Sequence, residues 1–421
     1  MVSPIAVRHD APRERRTAPE HAATVLALAE AVGTEEVALA EAGGRVSSQS
    51  ISSLLDLPAW DNSAMDGYAV ALVSGQEWDP TAQVPVLELP VTGVVAAGET
   101  ARFALDPGSA ARIMTGAPVP QGTLAVVPVE ETDAGVTAVR ISASVRAGSH
   151  IRRQGEDVRS GDEVVPAGAV LTPARLAVIA GTGHARVAVY RRPRVLVLST
   201  GSELRAPGEA LEHGQIYESN SHQLAALVRE AGADAVVLHL PDDVAGVREA
   251  LAQASAGVDL VVSTGGVSVG DFDVVRDALA GGDVAFVSVT MQPGKPQGAG
   301  RLADGTPIIA LPGNPVSSFV SFEVFVRPVI RRLAGASNVT RRRVKARLDT
   351  AMTSPAGREQ YARMALTWPD GVPVATPVGG RGSHLMGALA SADGLAVIPA
   401  EVTEVAAGTM VEVIDLREDA R

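Results

Sequence analysis

Short apolar runs, and the spacing between them, divide the chain into regions with different predicted folds. Between residues 193 and 335, strand-like runs alternate with stretches whose apolar residues recur every three or four positions. This alternation predicts a doubly wound, parallel α/β sheet with helices on both faces. The predicted strands are Arg194–Ser199, Ala235–Leu240, Asp259–Ser263, Val284–Val289 and Pro307–Leu311, and the predicted helices are Ser219–Glu230, Val244–Ala254, Phe272–Leu279 and Ser317–Leu333.

The flanking regions have different patterns. Residues 61–146 hold short β-like pieces between Gly, Pro and Asp turns, which predicts a β-rich domain. Residues 339–421 begin with a basic strand and predict a C-terminal β-barrel domain. Residues 20–60 and 147–190 predict a linking α+β domain, residues 191–338 the α/β domain, and residues 1–19 a disordered tail. Helices are predicted in the linking domain at His21–Ala31, Val37–Ala42 and Pro173–Ala180.

Composition then narrows the class of protein. The chain has 421 residues, of which 46% are hydrophobic and 20% charged, as in a multidomain globular protein. The absence of cysteine excludes disulfide scaffolds, thiolate metal sites and a cysteine nucleophile. A net charge of −12 argues against nucleic acid as a partner. Without an apolar signal segment or a membrane-length run, the expected location is the cytoplasm, with no membrane partner.

Polar and glycine-rich segments follow all five predicted strands of the α/β region. The carboxyl ends of parallel strands meet at one edge of a sheet, and ligands bind in the crevice beyond them. The sequence therefore predicts a binding site at this edge. The segments are Ser199–Glu203, Pro241–Asp243, Ser263–Asp271, Met291–Pro296 and Leu311–Pro315.

Two of these segments are suited to an anion. The glycine-rich run 265–270 precedes a helix, where backbone N–H groups attract negative charge. A tight turn that requires glycine for steric reasons explains this run equally well, and it is neither a dinucleotide fingerprint nor a Walker loop. Lys295 is one of only two lysines among 36 basic residues. Its position between Gly294 and Pro296 favours an oxyanion contact over a solvated lysine.

Carboxylates form an acidic rim near the same edge. Oxygen ligands of this kind hold Mg²⁺, although Asp243 and Asp273 both precede helical patterns and have the alternative role of helix caps. None of the eight histidines lies in a recognisable nucleophile context, so no Ser/His/Asp triad is predicted. The rim residues are Glu203, Asp242, Asp243, Asp271 and Asp273.

Seven motifs are spread over nearly the whole chain, at Pro58–Ala69, Arg112–Pro118, Ile151–Asp157, Ser199–Leu204, Gly265–Gly270, Pro293–Pro296 and Leu311–Ser317. In their order they resemble the MoeA family of molybdopterin molybdenumtransferases, which is related to the gephyrin E domain. The resemblance implies an elongated homodimer. It also implies that the α/β region is a MogA-like molybdopterin-binding domain and that the linking domain dimerises.

The implied reaction uses adenylylated molybdopterin and molybdate as substrates. AMP is released with the help of Mg²⁺, and molybdenum remains on the pterin dithiolene as molybdenum cofactor. A molybdopterin adenylyltransferase is the implied upstream donor. Two alternatives stay open: that the chain is itself the adenylyltransferase, which shares the α/β domain, or that it is a peptide-binding scaffold like the gephyrin E domain.

The resemblance also implies roles for individual residues. Lys295, Arg358 and Ser383 would contact molybdate, while Asp61, Thr115 and Asp157 would face the α/β domain of the other subunit. Where the family often has a second lysine this chain has Gln292, and two consequences stay open: a weaker affinity for molybdate, or compensation by another group such as Arg301. The implied catalytic residues are Asp61, Asp157, Glu203, Asp242 and Asp273; the metal ligands are Glu203, Asp242 and Asp271; the substrate-binding residues are Thr115, Gly265, Gly266, Ser268, Gly270, Lys295, Pro312, Pro315, Arg358 and Ser383.

Overall fold

An α/β sheet is the central element of the fold. The computed structural model describes residues 14–73, 77–81, 86–98, 104–255, 257–266 and 274–417, and within them seven strands form this sheet. Six strands run in one direction, namely the five predicted strands and Arg15–Arg16, and Pro296–Arg301 is antiparallel to both of its neighbours. In spatial order the strands are Arg15–Arg16, Asp283–Val289, Pro296–Arg301, Pro307–Leu311, Leu260–Thr264, Arg194–Thr200 and Asp234–Leu240.

Helices cover both faces of this sheet, which confirms the doubly wound α/β class. Side chains alternate between the faces of a strand, so Val195 and Val197 enter one core while Leu196 and Leu198 enter the other. The first core also contains apolar residues of the C-terminal region, including Tyr361. The helices are Asn220–Glu230, Val244–Ala254, Val274–Ala278, Pro315–Ser321 and Arg327–Leu333, with a π-helical turn at Phe322–Val326 between the last two.

The reversed strand Pro296–Arg301 was not predicted. Its residues, Pro-Gln-Gly-Ala-Gly-Arg, include two glycines and no β-branched or aromatic side chain, so they carry no strand pattern. The glycines fit the close approach of the neighbouring strand. A Cβ on Gly300 would lie 1.9 Å from the backbone oxygen of Asp283.

The predicted disordered tail is wrong for residues 14–19. Arg15–Arg16 pairs in parallel with Ser288 and Val289 at the edge of the sheet. Thr17 then caps the helix Ala18–Leu26: its hydroxyl accepts the Glu20 N–H at 3.3 Å, and the Glu20 carboxylate accepts the Thr17 N–H at 2.8 Å. Edge pairing and this capping box satisfy the backbone hydrogen-bonding groups of this segment. Its arginine-rich sequence has no strand pattern, so ordered structure was not predicted there.

A linking region joins the N-terminal helix to the sheet. The predicted helix Val37–Ala42 is wrong, because Thr34–Ala38 pairs along five residues with the strand Arg186–Tyr190 and only the 3₁₀ turn Leu39–Glu41 follows. Tertiary pairing overrides the weak local preference for a helix. The other elements are the paired strands Ile51–Ser52 and Glu163–Val165, the paired strands Asn62–Ser63 and Ile151–Arg152, and the helix Pro173–Gly181.

The β-rich region and the C-terminal barrel follow the predicted classes. Within the described residues the first is one sheet, ordered Ala125–Pro128, Gly67–Ala71, Ser109–Ile113, Leu87–Val95 and Ala138–Ile141, with a 3₁₀ turn at Val129–Glu131. The second is a ring of strands that closes on itself, ordered Glu359–Thr367, Val374–Pro377, Arg343–Leu348, Met410–Asp415 and Gly394–Ile398. Smaller elements are the strand pairs Leu204–Arg205 with Ile216–Tyr217 and Met352–Thr353 with Glu404–Val405, the 3₁₀ turn Pro369–Gly371 and the helix Met386–Ala390.

A short strand attaches the barrel to the α/β sheet. Met291–Gln292 follows the sheet strand Asp283–Val289 and pairs in parallel with Glu359 and Gln360 of the barrel. The Glu359 N–H also donates to the Thr290 oxygen at 3.0 Å. No helix among the described residues has the length and apolar character needed to cross a lipid bilayer.

The buried side chain of His21 makes the stability of this core depend on pH. Its ring packs edge-on against Phe325, with centroids 4.7 Å apart, and neither ring nitrogen has a hydrogen-bond partner among the described residues. Burial lowers the pKa of His21 from 6.5 to about 4, and the nearby Arg16 adds to the shift. The folded protein therefore keeps this ring neutral where the unfolded chain takes up a proton.

Replacing His21 by leucine should remove this pH dependence. As pH falls from 6.5 to 4, protonation of His21 in the unfolded chain costs the wild type about 3 kcal/mol of unfolding free energy. Urea unfolding at pH 7 and pH 4.5 measures the loss in both proteins. We expect the loss to be smaller in His21→Leu by most of that amount, and an equal loss in the two proteins contradicts the assignment.

Candidate active site

Three strand-end segments are tied together where the strand order reverses. The strands Arg194–Thr200 and Leu260–Thr264 are neighbours there, and such a switch point is where ligands bind in open α/β sheets. Asn220 donates from Nδ2 to Thr264 Oγ1 at 3.0 Å and to the Gly313 oxygen at 2.6 Å. Thr264 Oγ1 in turn donates to the Pro312 oxygen at 3.2 Å. These bonds fix the glycine-containing turns against each other.

Sequence reasoning missed Asn220, although it opens a predicted helix of the α/β region. It also missed Glu218, a buried carboxylate that accepts Ser199 Oγ at 3.1 Å and the Ser221 N–H at 2.8 Å. Polar residues between a strand and its following helix were a usable signal for both. The sequence did not show which of them faces the sheet edge.

A pocket of about 250 Å³ collects several of the predicted substrate-binding residues. Gly266, Lys295, Pro312 and Ser383 line it, together with Gln292–Pro296, Gly313, Asn314 and Ser317. Gly265 lies next to this wall, with its N–H on the Leu311 oxygen at 3.3 Å, and Pro315 follows Asn314 as the first residue of a helix. The structure therefore brings together residues that are more than a hundred positions apart.

The Lys295 loop is held in a defined conformation. Gly294 has φ +104°, in the left-handed region that favours glycine, and a Cβ there would lie 2.8 Å from Ser321 Oγ. The buried Gln297 side chain donates from Nε2 to the Gly294 oxygen and to Ser321 Oγ, each at 2.7 Å. The Lys295 side chain itself is exposed, so its ammonium remains hydrated on the protein surface and available to an anion.

The barrel supplies the opposite wall of the pocket. The Ser383 backbone oxygen accepts the Val316 N–H at 3.1 Å, at the start of the helix Pro315–Ser321, where the first N–H groups lack partners within the helix. Arg358 donates from Nη1 to Gln292 Oε1 at 3.3 Å. Gln292 and Pro293 also line an adjoining pocket of about 230 Å³, whose other lining residues include Arg363 and Arg381 and no carboxylate.

Part of the acidic rim lies at the other side of the sheet edge. Glu203 and Asp242 are exposed, and Asp242 is bound reciprocally to Ser202: the Ser202 N–H donates to Asp242 Oδ2 at 2.9 Å, and the Asp242 N–H donates to Ser202 Oγ at 3.1 Å. Asp243 caps the helix Val244–Ala254, as its alternative role predicted. The predicted residues Ser268, Gly270, Asp271 and Asp273 lie outside the described residues.

The described part of the rim offers an incomplete metal site. No cluster of three or more His, Cys, Asp or Glu side chains suited to a metal occurs among the described residues. Glu203 directly follows Ser202, which is bound to Asp242, so these two exposed carboxylates lie in adjoining segments. Mg²⁺ is commonly held by one or two carboxylates, water and substrate phosphates. Carboxylates of this kind would supply only part of such a set, and a phosphate substrate and water would supply the rest.

The N-terminal candidates form a separate cluster. Asp61 accepts the Gln154 N–H at 2.8 Å and Arg153 Nη1 at 2.6 Å, and these bonds lower the pKa of its carboxyl. Thr115 donates its N–H and its hydroxyl to Asp66, at 2.6 and 2.8 Å. The described side-chain contacts of this single chain do not join Asp61, Thr115 or Asp157 to the Lys295 pocket.

Arg301 does not take the place of a second pocket cation. It lies at the far end of the strand that begins beside Lys295, and its guanidinium donates to the Gly305 oxygen at 2.8 Å and the Leu28 oxygen at 2.9 Å. The expectation that Arg301 compensates for Gln292 was therefore wrong. The strand runs away from the pocket, which the sequence did not reveal because this strand was not predicted.

Comparison with known proteins identifies the class of this arrangement. Three family models match in order: the MoeA N-terminal region (domain I and II) over residues 16–183, the probable molybdopterin binding domain over 196–332, and the MoeA C-terminal region (domain IV) over 345–416. Most residues of the pocket thus belong to the region that matches the probable molybdopterin binding domain, and Ser383 belongs to the MoeA C-terminal region. The chain belongs to the MoeA family of molybdopterin molybdenumtransferases, which are enzymes of molybdenum cofactor biosynthesis.

Individual relatives agree with this assignment. Molybdopterin molybdenumtransferase 2 of Mycobacterium tuberculosis is 47% identical over 409 residues, which cover 95% of this chain and all of that protein. The molybdopterin molybdenumtransferase of Nostoc sp. is 39% identical over 91% of this chain and 89% of its own length. A crystal structure of the molybdopterin biosynthesis MoeA protein of Pyrococcus horikoshii OT3 superposes with a TM-score of 0.80 at 28% identity, covering 95% of this chain and 99% of that one.

Replacing Asn220 by alanine should loosen the switch-point turns. The variant loses both bonds from Nδ2 and leaves the Gly313 oxygen without its donor, a change that costs about 1–3 kcal/mol of local stability. Hydrogen exchange measured on peptides covering 260–266 and 311–316 should become faster, while exchange in the barrel strand Glu359–Thr367 stays unchanged. Unaltered exchange in both turns contradicts the bridging role.

Proposed function

We propose that this chain inserts molybdenum from molybdate into adenylylated molybdopterin, with Mg²⁺-assisted release of AMP. Membership of the family supports molybdenum cofactor biosynthesis, and the pocket around Lys295 and Ser383 supports the finer assignment. Molybdate is a tetrahedral dianion, and an ammonium, a hydroxyl and a guanidinium are the donors that such an anion requires. That pocket is the observation on which the proposal chiefly depends.

Each donor has a distinct part in the proposed reaction. Lys295 neutralises one negative charge of molybdate, and its flexible stem lets the ammonium follow the anion. Ser383 donates a hydrogen bond from the barrel side, and Arg358 supplies the second positive charge from beside Gln292. Gly265, Gly266, Pro312 and Pro315 shape the adjoining wall. Fixed donors cost little reorganisation when charge develops on the reacting group.

The carboxylates at the other side of the sheet edge belong to the cleavage of the adenylate. Glu203 and Asp242, together with Asp271, would hold the Mg²⁺, which would supply neutralisation of negative charge on the phosphates. Asp273 acts on the phosphoanhydride, and Ser268 and Gly270 bind the phosphate region. Asp271, Asp273, Ser268 and Gly270 enter the proposal through the family resemblance alone.

A homodimer would complete this site. Asp61 is bonded to Arg153 and Thr115 to Asp66, and large apolar side chains lie exposed in the same region: Leu54, Trp60, Met65 and Met114. An exposed apolar group beside organised polar residues is typical of a protein interface. We propose that this face meets the α/β domain of a second copy and brings its carboxylates to that copy's pocket.

The proposal also places the protein in its cellular context. Its substrate is an adenylylated pterin, so a molybdopterin adenylyltransferase must act before it. The expected location of the reaction is the cytoplasm, and neither nucleic acid nor a membrane is an expected partner. Sulfur ligands for molybdenum belong to the pterin, which accords with a chain that contains no cysteine.

An AMP-release assay tests the proposed reaction directly. Purified protein should release AMP from adenylylated molybdopterin only when molybdate and Mg²⁺ are both present, and the product should activate a molybdenum-free apoenzyme. Formation of adenylate from molybdopterin and ATP would instead identify an adenylyltransferase. Absence of both reactions would favour the scaffold role.

The two lysines provide a matched pair for the same assay. Lys295→Met removes the pocket ammonium, and we expect the KM for molybdate to rise about 10- to 100-fold because a charge-assisted contact is lost. Lys345→Met changes an exposed lysine on the barrel strand Arg343–Leu348 and should leave this KM unchanged. Equal effects of the two substitutions contradict the role of Lys295.

Mixing two inactive variants tests the shared site. At molybdate concentrations well below the KM of Lys295→Met, Asp61→Asn and Lys295→Met should each have little activity, but after subunit exchange a mixed dimer has one site in which both residues are intact. With random pairing, about a quarter of wild-type activity should return. If both variants are inactive alone and the mixture stays inactive although native mass spectrometry detects mixed dimers, Asp61 acts within its own subunit.

A further inference from the structure

The structure assigns a positioning role to Gln292. Its side-chain oxygen holds the Arg358 guanidinium at the boundary between the two pockets and thereby orients this guanidinium for contact with a tetrahedral dianion. This inference rests on the proposed function, in which Arg358 contacts molybdate. It concerns a pocket residue to which the resemblance assigned no contact with substrate.

The contact spans two regions of the chain. Gln292 belongs to the strand Met291–Gln292, which leaves the α/β sheet, whereas Arg358 immediately precedes the barrel strand Glu359–Thr367. Arg358 Nη1 lies 3.3 Å from Gln292 Oε1, and both side chains are partly buried. Backbone pairing of Gln292 with Gln360 fixes the separation of the two segments, so that the contact follows from the fold.

Gln292 also lies at the boundary between two cavities. It lines both the Lys295 pocket and the adjoining pocket that contains Arg363 and Arg381. Through its bond to Gln292, the Arg358 guanidinium is held beside one cavity that contains Lys295 and another that contains two arginines. Without an acceptor on Gln292, this long side chain would sample many rotamers, and its ordering would oppose anion binding.

The chemistry of the carboxamide suits this task. Its oxygen accepts from the guanidinium, while its Nε2 group remains a neutral donor that adds no charge to the pocket. An ammonium at position 292 would lie within a few ångströms of Arg358 and repel it. On this account Gln292 contributes by orienting an arginine, and adding a positive charge in its place does not improve the site.

Three substitutions at position 292 separate this role from its alternatives. Gln292→Met keeps length and volume but removes the acceptor, and we expect the KM for molybdate to rise about tenfold with little change in kcat. Gln292→Lys adds charge and should raise this KM as well. Gln292→Glu keeps an acceptor but adds negative charge, so it should retain the Arg358 contact while weakening the binding of the anion. Gln253→Met on the exposed face of the helix Val244–Ala254 is the matched control.

A double-mutant cycle distinguishes positioning from a structural effect. If Gln292 acts through Arg358, then Gln292→Met should add less than twofold to the molybdate KM of Arg358→Met, although it adds about tenfold to that of the wild type. Thermal unfolding of each variant checks that the fold is kept. Direct titration with molybdate, in the absence of the pterin, measures the same coupling without turnover.

The possible results distinguish a failure of the positioning role from a failure of the proposed function. Additive effects of Gln292→Met and Arg358→Met, or tighter molybdate binding by Gln292→Lys, overturn the positioning role while leaving the proposed function intact. A wild-type protein that neither binds molybdate nor releases AMP overturns the proposed function, and this inference with it. If the wild type turns over normally and Gln292→Met has the same KM for molybdate, the positioning role is overturned and the proposed function is not.

Discussion

Backbone pairing between Met291–Gln292 and the barrel strand Glu359–Thr367 is the constraint on which the candidate site depends. It holds a loop of the α/β sheet against a domain that begins some fifty residues later in the chain. A second contact, from the Val316 N–H to the Ser383 oxygen, docks the same barrel on the start of a helix. Between these two attachments lies the pocket that contains Lys295, and neither domain encloses it alone.

Each side of this junction is stiffened by contacts of its own. Gln297 and Ser321 fix the Lys295 loop, and Asn220 joins the turns at Thr264 and Gly313. The backbone that carries Lys295 and the neighbouring turns is therefore held in place without a ligand, which limits the reorganisation that binding requires. The apolar core continues from the sheet into the barrel through residues such as Tyr361 and Leu395, and it keeps the two walls from separating.

The sequence predicted the elements with strong local patterns. The runs at Arg194–Thr200 and Pro307–Leu311 are apolar and bounded by turns, and their positions in the sheet agree with the prediction within one residue. Pro296–Arg301 and Arg15–Arg16 were not predicted, because these strands depend on pairing with a neighbour and have no apolar periodicity of their own. Polar strand ends indicated the edge at which the site lies, since all parallel strands end together.

The arrangement within the site was less accessible to sequence reasoning. Lys295 stood out by composition, but its proximity to Ser383 depends on the docking of the barrel, which no local pattern encodes. The Arg358–Gln292 contact is of the same kind: the resemblance pointed to Arg358 but not to its partner, and Arg301, the candidate to compensate for Gln292, lies elsewhere. Conversely, the resemblance supplied roles for Asp61, Thr115 and Asp157 that a single chain does not explain, because their proposed target lies on a second copy.

We propose that the junction between sheet and barrel binds the metal oxyanion. Anomalous diffraction from crystals of the protein soaked with tungstate, a heavier tetrahedral dianion, locates the binding site. We expect an anomalous peak in contact with Lys295 and Ser383 and beside the Arg358 guanidinium, and we expect it to be lost in Lys295→Met. A fully occupied peak elsewhere, with this junction empty at saturating tungstate, would contradict it.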